Sequence, residues 1–298
     1  MTPSGQQSSG GNSKRVAPIT FPASDSVLAR PGTDQSATVR DAFRECGFAL
    51  GADISWLQRA LSLQREIVAQ SYPSRYRNQR YAAALLLWSR TYTTSIELLR
   101  LTTWGRYAVC PPLVRSCIEW LAAEPAIVGE EFDQFESWID AAFAPASDQA
   151  ATAFGMGQYM ASQEIASDET LATIYRAATE LARPHFGASA LVVAPESNAQ
   201  RIQINWGDES FHLGWAELLL GWQIEVQMRQ LEFAAASELF AAEVTDHEDR
   251  QALVEGAQRL LAAPNRCRVE WVEGHGAERL LVDNFRRQPS GAPRRILL

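Results

Sequence analysis

The stretch WAELLLGWQIEVQMRQLEFAAASELF, residues 215–240, is the most informative part of this 298-residue chain. Its apolar residues recur at steps of three and four, which is the period of an α-helix. Asp208 can cap this helix, which we expect to run to about Ala242. Two apolar stripes along one helix predict contacts on more than one side, so the helix belongs at the centre of a bundle. The stripes are Trp215, Leu219, Trp222, Val226, Phe233 and Phe240, and Leu220, Ile224, Met228, Leu231, Ala235 and Leu239.

Other segments show the same helical period. The strongest pattern covers residues 74–104 and stops at Gly105, since glycine readily adopts the left-handed conformation that ends helices. Its apolar positions are Tyr81, Leu85, Trp88, Tyr92, Ile96 and Leu99. A helix is predicted over 54–70, because Tyr72-Pro73 stops the helical spacing, and another begins at Pro111-Pro112. Further helices are predicted over 131–143, 167–183 and 246–261. Residues 151–160 fit either a helix or a loop.

Two short β-prone pairs interrupt the helices. Residues 190–194 and 201–206 predict one small hairpin, and residues 266–273 and 278–283 predict a second around Gly274-His275-Gly276. The expected fold class is therefore all-α, a bundle of about six to eight helices with one or two small β-hairpin insertions.

The chain divides into three regions by composition. Residues 1–38 are rich in Ser, Gly, Gln, Pro and Thr, which predicts a disordered leader. Residues 39–264 are expected to form one helical bundle domain. Residues 265–298 are expected to hold the second hairpin and a flexible Arg-rich tail from Arg286.

The net charge of −8 hides an uneven distribution of charge. Residues 56–115 sum to +7, residues 116–249 to −19 and residues 250–298 to +4. Internal pairing of these regions is the favoured interpretation. A nucleic-acid-binding face around Arg75, Arg77 and Arg80 is the alternative.

Targeting and redox signals are those of a cytoplasmic protein. The cysteines, Cys46, Cys110, Cys117 and Cys267, form no Cys-x-x-Cys pair, so we expect reduced thiols. No signal peptide is recognisable, and the longest apolar run, residues 81–88, is too short to span a membrane. We expect a soluble protein that neither crosses nor binds a membrane and needs no cofactor.

Two histidines suggest chemistry. His185 follows a predicted helix end, where Arg183 or Arg176 could supply a cation beside a general acid or base. A capping role in a packed turn is the favoured alternative. His212 follows Glu209 in a Glu-x-x-His motif of the kind that binds metal in helical bundles. Only one such motif is present, so we predict no metal site there.

The two remaining histidines carry little signal. His247 lies among acidic residues at a predicted helix start, and His275 is expected at a hairpin tip.

The chain contains no Gly-x-Ser-x-Gly elbow, no phosphate-binding Gly-x-x-x-x-Gly-Lys loop and no Gly-x-Gly-x-x-Gly fingerprint, so hydrolase, P-loop and Rossmann functions lose their main support.

Polar residues inside the strongest helices predict a buried network. Arg115 and Glu119 are four residues apart and share one helix face. With Arg90 and Glu97 from the preceding helix they could form a buried charged network, because buried charges must be paired. We expect this network to act as a structural clamp, with a ligand pocket as the alternative.

The run Gly105 to Ala122, with Arg115-Ser-Cys-Ile-Glu119, and the later Leu-Ala-Arg-Pro-His185 resemble uncharacterised bacterial helical proteins related to the HEPN superfamily. The resemblance covers residues 75–240. It implies an often dimeric helical bundle, with RNA cleavage in toxin–antitoxin or antiphage systems in some members and lost catalysis in others. The catalytic pattern is Arg, four to six residues, then His. Here only Arg268 and His275 match it, in a predicted strand.

The favoured hypothesis is a non-catalytic HEPN-like binding or regulatory module in a bacterial defence or toxin–antitoxin setting, with a homodimer and an RNA or protein partner as the implied interactions. The alternative is a metal-independent endoribonuclease using His185 with Arg183 or Arg176, in which histidine transfers the proton and arginine stabilises the phosphate charge. A carboxylate/histidine metal enzyme is the third.

Overall fold

The computed structural model describes residues 19–22, 27–75, 79–128, 163–198, 200–240, 248–274 and 276–298; of residues 72–75, 79, 80 and 248 it describes the backbone only. These parts are mostly helical, with a small antiparallel sheet at the C-terminus. The helices are α1 Ala37–Ala49, α2 Gly51–Arg75, α3 Gln79–Thr103, α4 Cys110–Val128, α5 Glu169–Ala182, α6 Phe186–Val193, α7 Leu213–Ala236 and α8 Glu248–Leu261; the strands are β1 Arg268–Gly274, β2 Ala277–Phe285 and β3 Arg294–Leu297.

Helix α7 lies at the centre of the fold, as its two apolar stripes predict. Most of its residues are buried, and it packs against α1, α2, α3, α4, α8 and β2. Among the described helices, α3 and α4 make the most extensive contact with each other, and α5 packs on α4. A helix surrounded in this way needs apolar residues around most of its circumference, which explains why one stripe is not enough.

The helix ends refine the sequence predictions. Gly105 ends α3 with φ +76°, and a side chain there would meet the Glu209 carbonyl oxygen at 2.2 Å, so glycine is required. Helix α2 continues through Pro73 to Arg75, because a proline near a helix end costs only one backbone hydrogen bond. Asp168 caps α5 in place of Ser167, and His212 caps α7 in place of Asp208.

The first predicted hairpin is wrong. Residues 186–193 form helix α6, in which Ala188 and Leu191 are buried three residues apart. Residues 201–206 form no strand and lie beside the end of α6, where the Asn205 amide donates to the Val193 carbonyl at 2.7 Å. A short run that is apolar on all sides gives no period, so sequence cannot tell a helix from a strand here.

The second hairpin is confirmed, and the sheet is larger than predicted. Strands β1 and β2 pair from Arg268↔Asp283 to Gly274↔Ala277. The segment expected to be a flexible tail instead forms β3, which pairs with β2 at Val282↔Ile296. Its arginines are held as well, since Arg294 donates to the Pro195 carbonyl at 2.9 Å.

The N-terminal region contributes to the fold where it is described. Val27 is 8% exposed and belongs to the core, and residues 19–22 lie against α2 and α3. These residues therefore lie against the fold within the region expected to be disordered, and the disorder of the leader stays a prediction. The predicted helix over 131–143 and the ambiguous segment 151–160 lie outside the described residues.

Ion pairs connect the acidic middle of the chain to the basic segments on either side. Arg106 pairs with Glu209 at 2.8 Å, and Arg286 contacts Glu217 at 3.4 Å. Arg287 lies 3.6 Å from Glu196. Internal pairing therefore accounts for part of the charge asymmetry. Among the described residues, no helix is both long and apolar enough to cross a bilayer.

Candidate binding site

Each of the predicted catalytic residues contacts a different part of the protein. His185 is exposed and caps α6, where its Nδ1 accepts from the Ala188 amide at 3.4 Å. Its capping role is thus at a helix start and not, as predicted, at a helix end. Arg183 is also exposed and lies 3.6 Å from Glu180 on its own helix.

Arg176 is engaged with the C-terminal sheet. Its guanidinium lies 4.0 Å from the centre of the Trp271 ring and pairs with Glu278. The two arginines expected beside His185 are therefore each paired with a different carboxylate.

Both residues of the Glu-x-x-His motif, Glu209 and His212, make contacts within the fold. His212 is 4% exposed, packs against Phe285 with ring centres 4.4 Å apart and planes tilted by 33°, and accepts from the Trp215 amide through Nδ1. Glu209 turns to Arg106 and Ser36. Burial, and secondarily Arg287, lowers the pKa of His212 to about 3, so the ring is neutral near pH 7.

Within the described ranges no three His, Cys, Asp or Glu residues form a metal-binding group. His247 and His275 lie outside those ranges. All four cysteines are reduced and buried, and burial raises the pKa of Cys46, Cys110 and Cys117 to about 12. They are therefore protonated thiols and poor nucleophiles.

The predicted four-residue buried network is wrong in composition. Arg115 and Glu119 pair at 3.1 Å as expected, and Glu119 also accepts from the Tyr175 hydroxyl at 3.0 Å, but both are only half-buried. Arg90 is exposed and stacks on Trp120, and Glu97 pairs with Arg100 in its own helix. Side chains this long reach solvent and nearby partners, so the two helices need no shared charge cluster.

The actual buried network is built around two glutamines, Gln64 and Gln227, and the sequence pattern did not predict it. The Gln64 amide group donates to the Gln227 oxygen at 2.6 Å and accepts from the Trp88 indole at 3.0 Å. Gln227 in turn donates to the Ser95 hydroxyl at 2.8 Å. All four side chains are at most 2% exposed, and together they join α2, α3 and α7.

The same face of α7 continues this polar line. Gln223 donates to the Thr102 hydroxyl at 3.3 Å, and Gln230 donates to Glu124. Complete burial raises the pKa of Glu124 well above its ordinary value. Residues 223, 227 and 230 have the i, i+4, i+7 spacing of one helix face, which is the only signal in the sequence that could have revealed the line.

A cavity of about 430 Å³ opens between α2 and α3 beside this network. Val68 and Leu85 line it from the two helices, and Trp88, whose indole is anchored on Gln64, lies at its inner side. The other described lining residues are Ile19, Thr20, Phe21, Pro22, Gln64, Arg65, Ala82, Leu86, Ser89, Tyr92 and Thr93. A volume of this order suits a small organic ligand, for which pockets are typically about 300–1,000 Å³.

One charged residue lies at the cavity. Arg65 is half-buried, donates to the Pro22 carbonyl at 3.4 Å and has its guanidinium 6.0 Å from the Phe21 ring centre. No Asp or Glu is among the described lining residues. Leu85 and Tyr92 were predicted as part of an apolar helix stripe, and a stripe that lines a cavity has the same pattern as one that fills a core.

The predicted nucleic-acid face stays a prediction, since Arg77 lies outside the described residues and the side chains of Arg75 and Arg80 are not described. The buried glutamine network and the adjoining cavity are thus the most developed candidate site. No protein-family model, no curated protein and no solved structure matches this chain.

Proposed function

We propose that the protein is a non-catalytic binding module of HEPN-like type whose ligand occupies the α2–α3 cavity. The ligand is a small apolar or aromatic molecule. The observation that carries this proposal is the cavity itself, about 430 Å³ between α2 and α3, with apolar and aromatic side chains such as Val68, Leu85 and Trp88 among its described lining residues.

The buried network supports this proposal by fixing the inner side of the cavity. Trp88 is held by Gln64, and Gln64 is held by Gln227 on the central helix. Because the polar atoms of Gln64 and the Trp88 indole are bonded within the protein, the cavity presents the apolar surface of Trp88 to a ligand. A preformed apolar surface reduces the entropic cost of binding.

The test uses 1-anilinonaphthalene-8-sulfonate, an aromatic anion whose fluorescence rises in apolar surroundings, titrated into the folded chain. We expect saturable binding at one site. Val68→Trp should abolish binding because the larger side chain fills the cavity. The matched control is Val109→Trp, which makes the same replacement at an exposed position outside the described lining.

Binding that Val68→Trp leaves unchanged would place the probe elsewhere and overturn the proposal. Circular dichroism of each variant separates loss of the site from loss of the fold. The endoribonuclease hypothesis is tested separately with total RNA: cleavage that is lost in His185→Ala would overturn a non-catalytic function, and we expect no cleavage.

A further inference from the structure

Exposed apolar side chains are concentrated in one part of the described surface. Ten large hydrophobic residues are exposed on the described surface, and five of them lie between residues 186 and 206. Trp206 is 96% exposed, Ile202 70% and Ile204 65%, with Phe186 and Val193 on the adjoining helix α6. A cluster of this kind marks an interaction surface, whereas apolar residues scattered singly are ordinary.

Alternate backbone amides of residues 201–206 face the protein. The Arg201 amide donates to the Asn198 side-chain oxygen at 2.9 Å, the Gln203 amide to the Ser197 hydroxyl at 3.0 Å and the Asn205 amide to the Val193 carbonyl at 2.7 Å. Within the described part of the chain, the amides of Ile202, Ile204 and Trp206 make no hydrogen bond. This alternation is that of an extended chain over residues 201–205, with one edge bonded and the other edge open, and Trp206 follows at the turn before Gly207.

We propose that residues 201–206 form an open β edge that pairs antiparallel with the same segment of a second copy of this chain. Open edges with unpaired amides are templates for strand addition. The outward residues have even numbers, so they must face even-numbered residues of the other copy. The register that pairs all three outward residues of each copy places Ile204 opposite Ile204 and Ile202 opposite Trp206, with a two-fold axis through Ile204.

The segment is complementary to itself, which favours a second copy over an unrelated strand. In this register the three apolar side chains of each copy fall on one face and extend each other into a single apolar strip. Arg201 precedes the strip and Asp208 follows it. Antiparallel pairing therefore brings the basic end of one copy to the acidic end of the other, whereas parallel pairing would place like charges together.

None of these residues lines the α2–α3 cavity, so this proposal and the proposed ligand site fail or succeed independently. Light scattering across a concentration series tests the dimer. We expect the mass to approach twice the 33.0 kDa of the chain, and Ile204→Lys to return it to the monomer value. The matched control is Phe48→Lys, which replaces a 93% exposed residue on α1 and should leave the dimer intact.

Cysteine cross-linking tests the register. The natural cysteines are buried, so a single introduced cysteine is the reactive one. Cα atoms of directly opposite residues are about 5.5 Å apart, while the two Ile202 positions would be about 14 Å apart along the strands. With a short bis-maleimide, Ile204→Cys should cross-link at least several-fold faster than Ile202→Cys, and Phe48→Cys should not cross-link.

A chain that stays monomeric at every concentration would overturn the proposal. A dimer that Ile204→Lys leaves intact would also overturn it, because the interface would then lie elsewhere. Faster cross-linking at Ile202 than at Ile204 would reject the register and with it the two-fold pairing described here.

Discussion

His212 and His185 hold the same local position, one residue before a helix, and each accepts an amide through Nδ1. They differ in their surroundings, because His212 is buried against Phe285 and His185 is exposed. The sequence showed two histidines next to helix-forming segments but gave no measure of burial. Burial therefore distinguishes the two histidines, and the buried one, His212, is a structural cap.

The buried cap predicts a pH dependence of stability. The pKa of His212 is lowered to about 3 in the folded state, below its ordinary value of 6.5. Its contribution is therefore fully present above pH 6.5 and is lost as the pH falls towards 3, by roughly 3–5 kcal/mol in total. His212→Asn keeps an acceptor for the Trp215 amide and cannot be protonated, so its unfolding free energy should fall less over that interval.

Urea unfolding at several pH values between 4 and 7 measures this difference. His185→Asn makes the same replacement at the exposed cap of α6 and is the matched control. If the native chain and His212→Asn lose stability in parallel as the pH falls, His212 does not carry the effect.

Gln227 is buried, and its burial is not visible in the sequence. A glutamine between two apolar stripes is normally assigned to a solvent-facing strip, because amides favour water. Here the strip is covered by α2 and α3, and Gln227 is buried with partners on both helices. The spacing of Gln223, Gln227 and Gln230 was visible, but the partners on other helices were not, since pairing across helices depends on how they pack.

Gln227→Leu should destabilise the fold by about 2–4 kcal/mol, because it leaves the Gln64 amide and the Ser95 hydroxyl buried without their partner. The loss appears as a lower urea midpoint at unchanged slope. Gln251→Leu changes an exposed glutamine of α8 and should stay within about 0.5 kcal/mol. Equal stability of the two variants would mean that the amide network contributes nothing.

At the scale of elements, the helices with a clear amphipathic period were predictable and the short elements were not. Helix α3 ends one residue before its predicted end, because its apolar steps and Gly105 agree, but it begins at Gln79, and residues 74 and 75 belong to α2. Strand β3 was missed because it is short, carries Arg294 and Arg295, and exists only through pairing with β2. Helix α6 was read as a strand for the related reason that eight mostly apolar residues show no period.

Removal of residues 294–298 tests whether β3 is part of the cooperative fold. The deletion removes the pairing with β2, the hydrogen bond from the Leu298 amide to the Leu280 carbonyl and the packing of Ile296 and Leu298 on the core. We expect a loss of about 2–4 kcal/mol in the free energy of unfolding.

Arg295→Ala is the control for this deletion. It removes only an exposed pair with Asp283 and should cost less than about 1 kcal/mol. A truncated chain that unfolds at the native midpoint would show that β3 adds no stability.

At the scale of the whole molecule, the charge segments of the sequence correspond to contacts that hold distant parts together. Internal pairing was predictable from the segment charges, but the particular partners were not, because Asp53, Glu217 and Arg266 lie in three separate regions of the chain. Arg266 pairs with Asp53 at 2.6 Å and donates to the Glu217 carbonyl at 2.9 Å. Gly221 leaves room for this guanidinium, which a side chain there would meet at 3.0 Å.

This buried pair should be the most sensitive ionic contact described in the fold. The side chains of Asp53 and Arg266 are each 6% exposed, so Arg266→Met leaves a carboxylate buried without its cation and should cost about 3–5 kcal/mol. Adding Asp53→Asn should recover part of that loss, because the uncompensated charge is then removed. Arg44→Met breaks an exposed pair with Asp41 and should cost less than about 1 kcal/mol. Purely additive losses in the double variant, measured by urea unfolding, would show that Asp53 and Arg266 are not coupled.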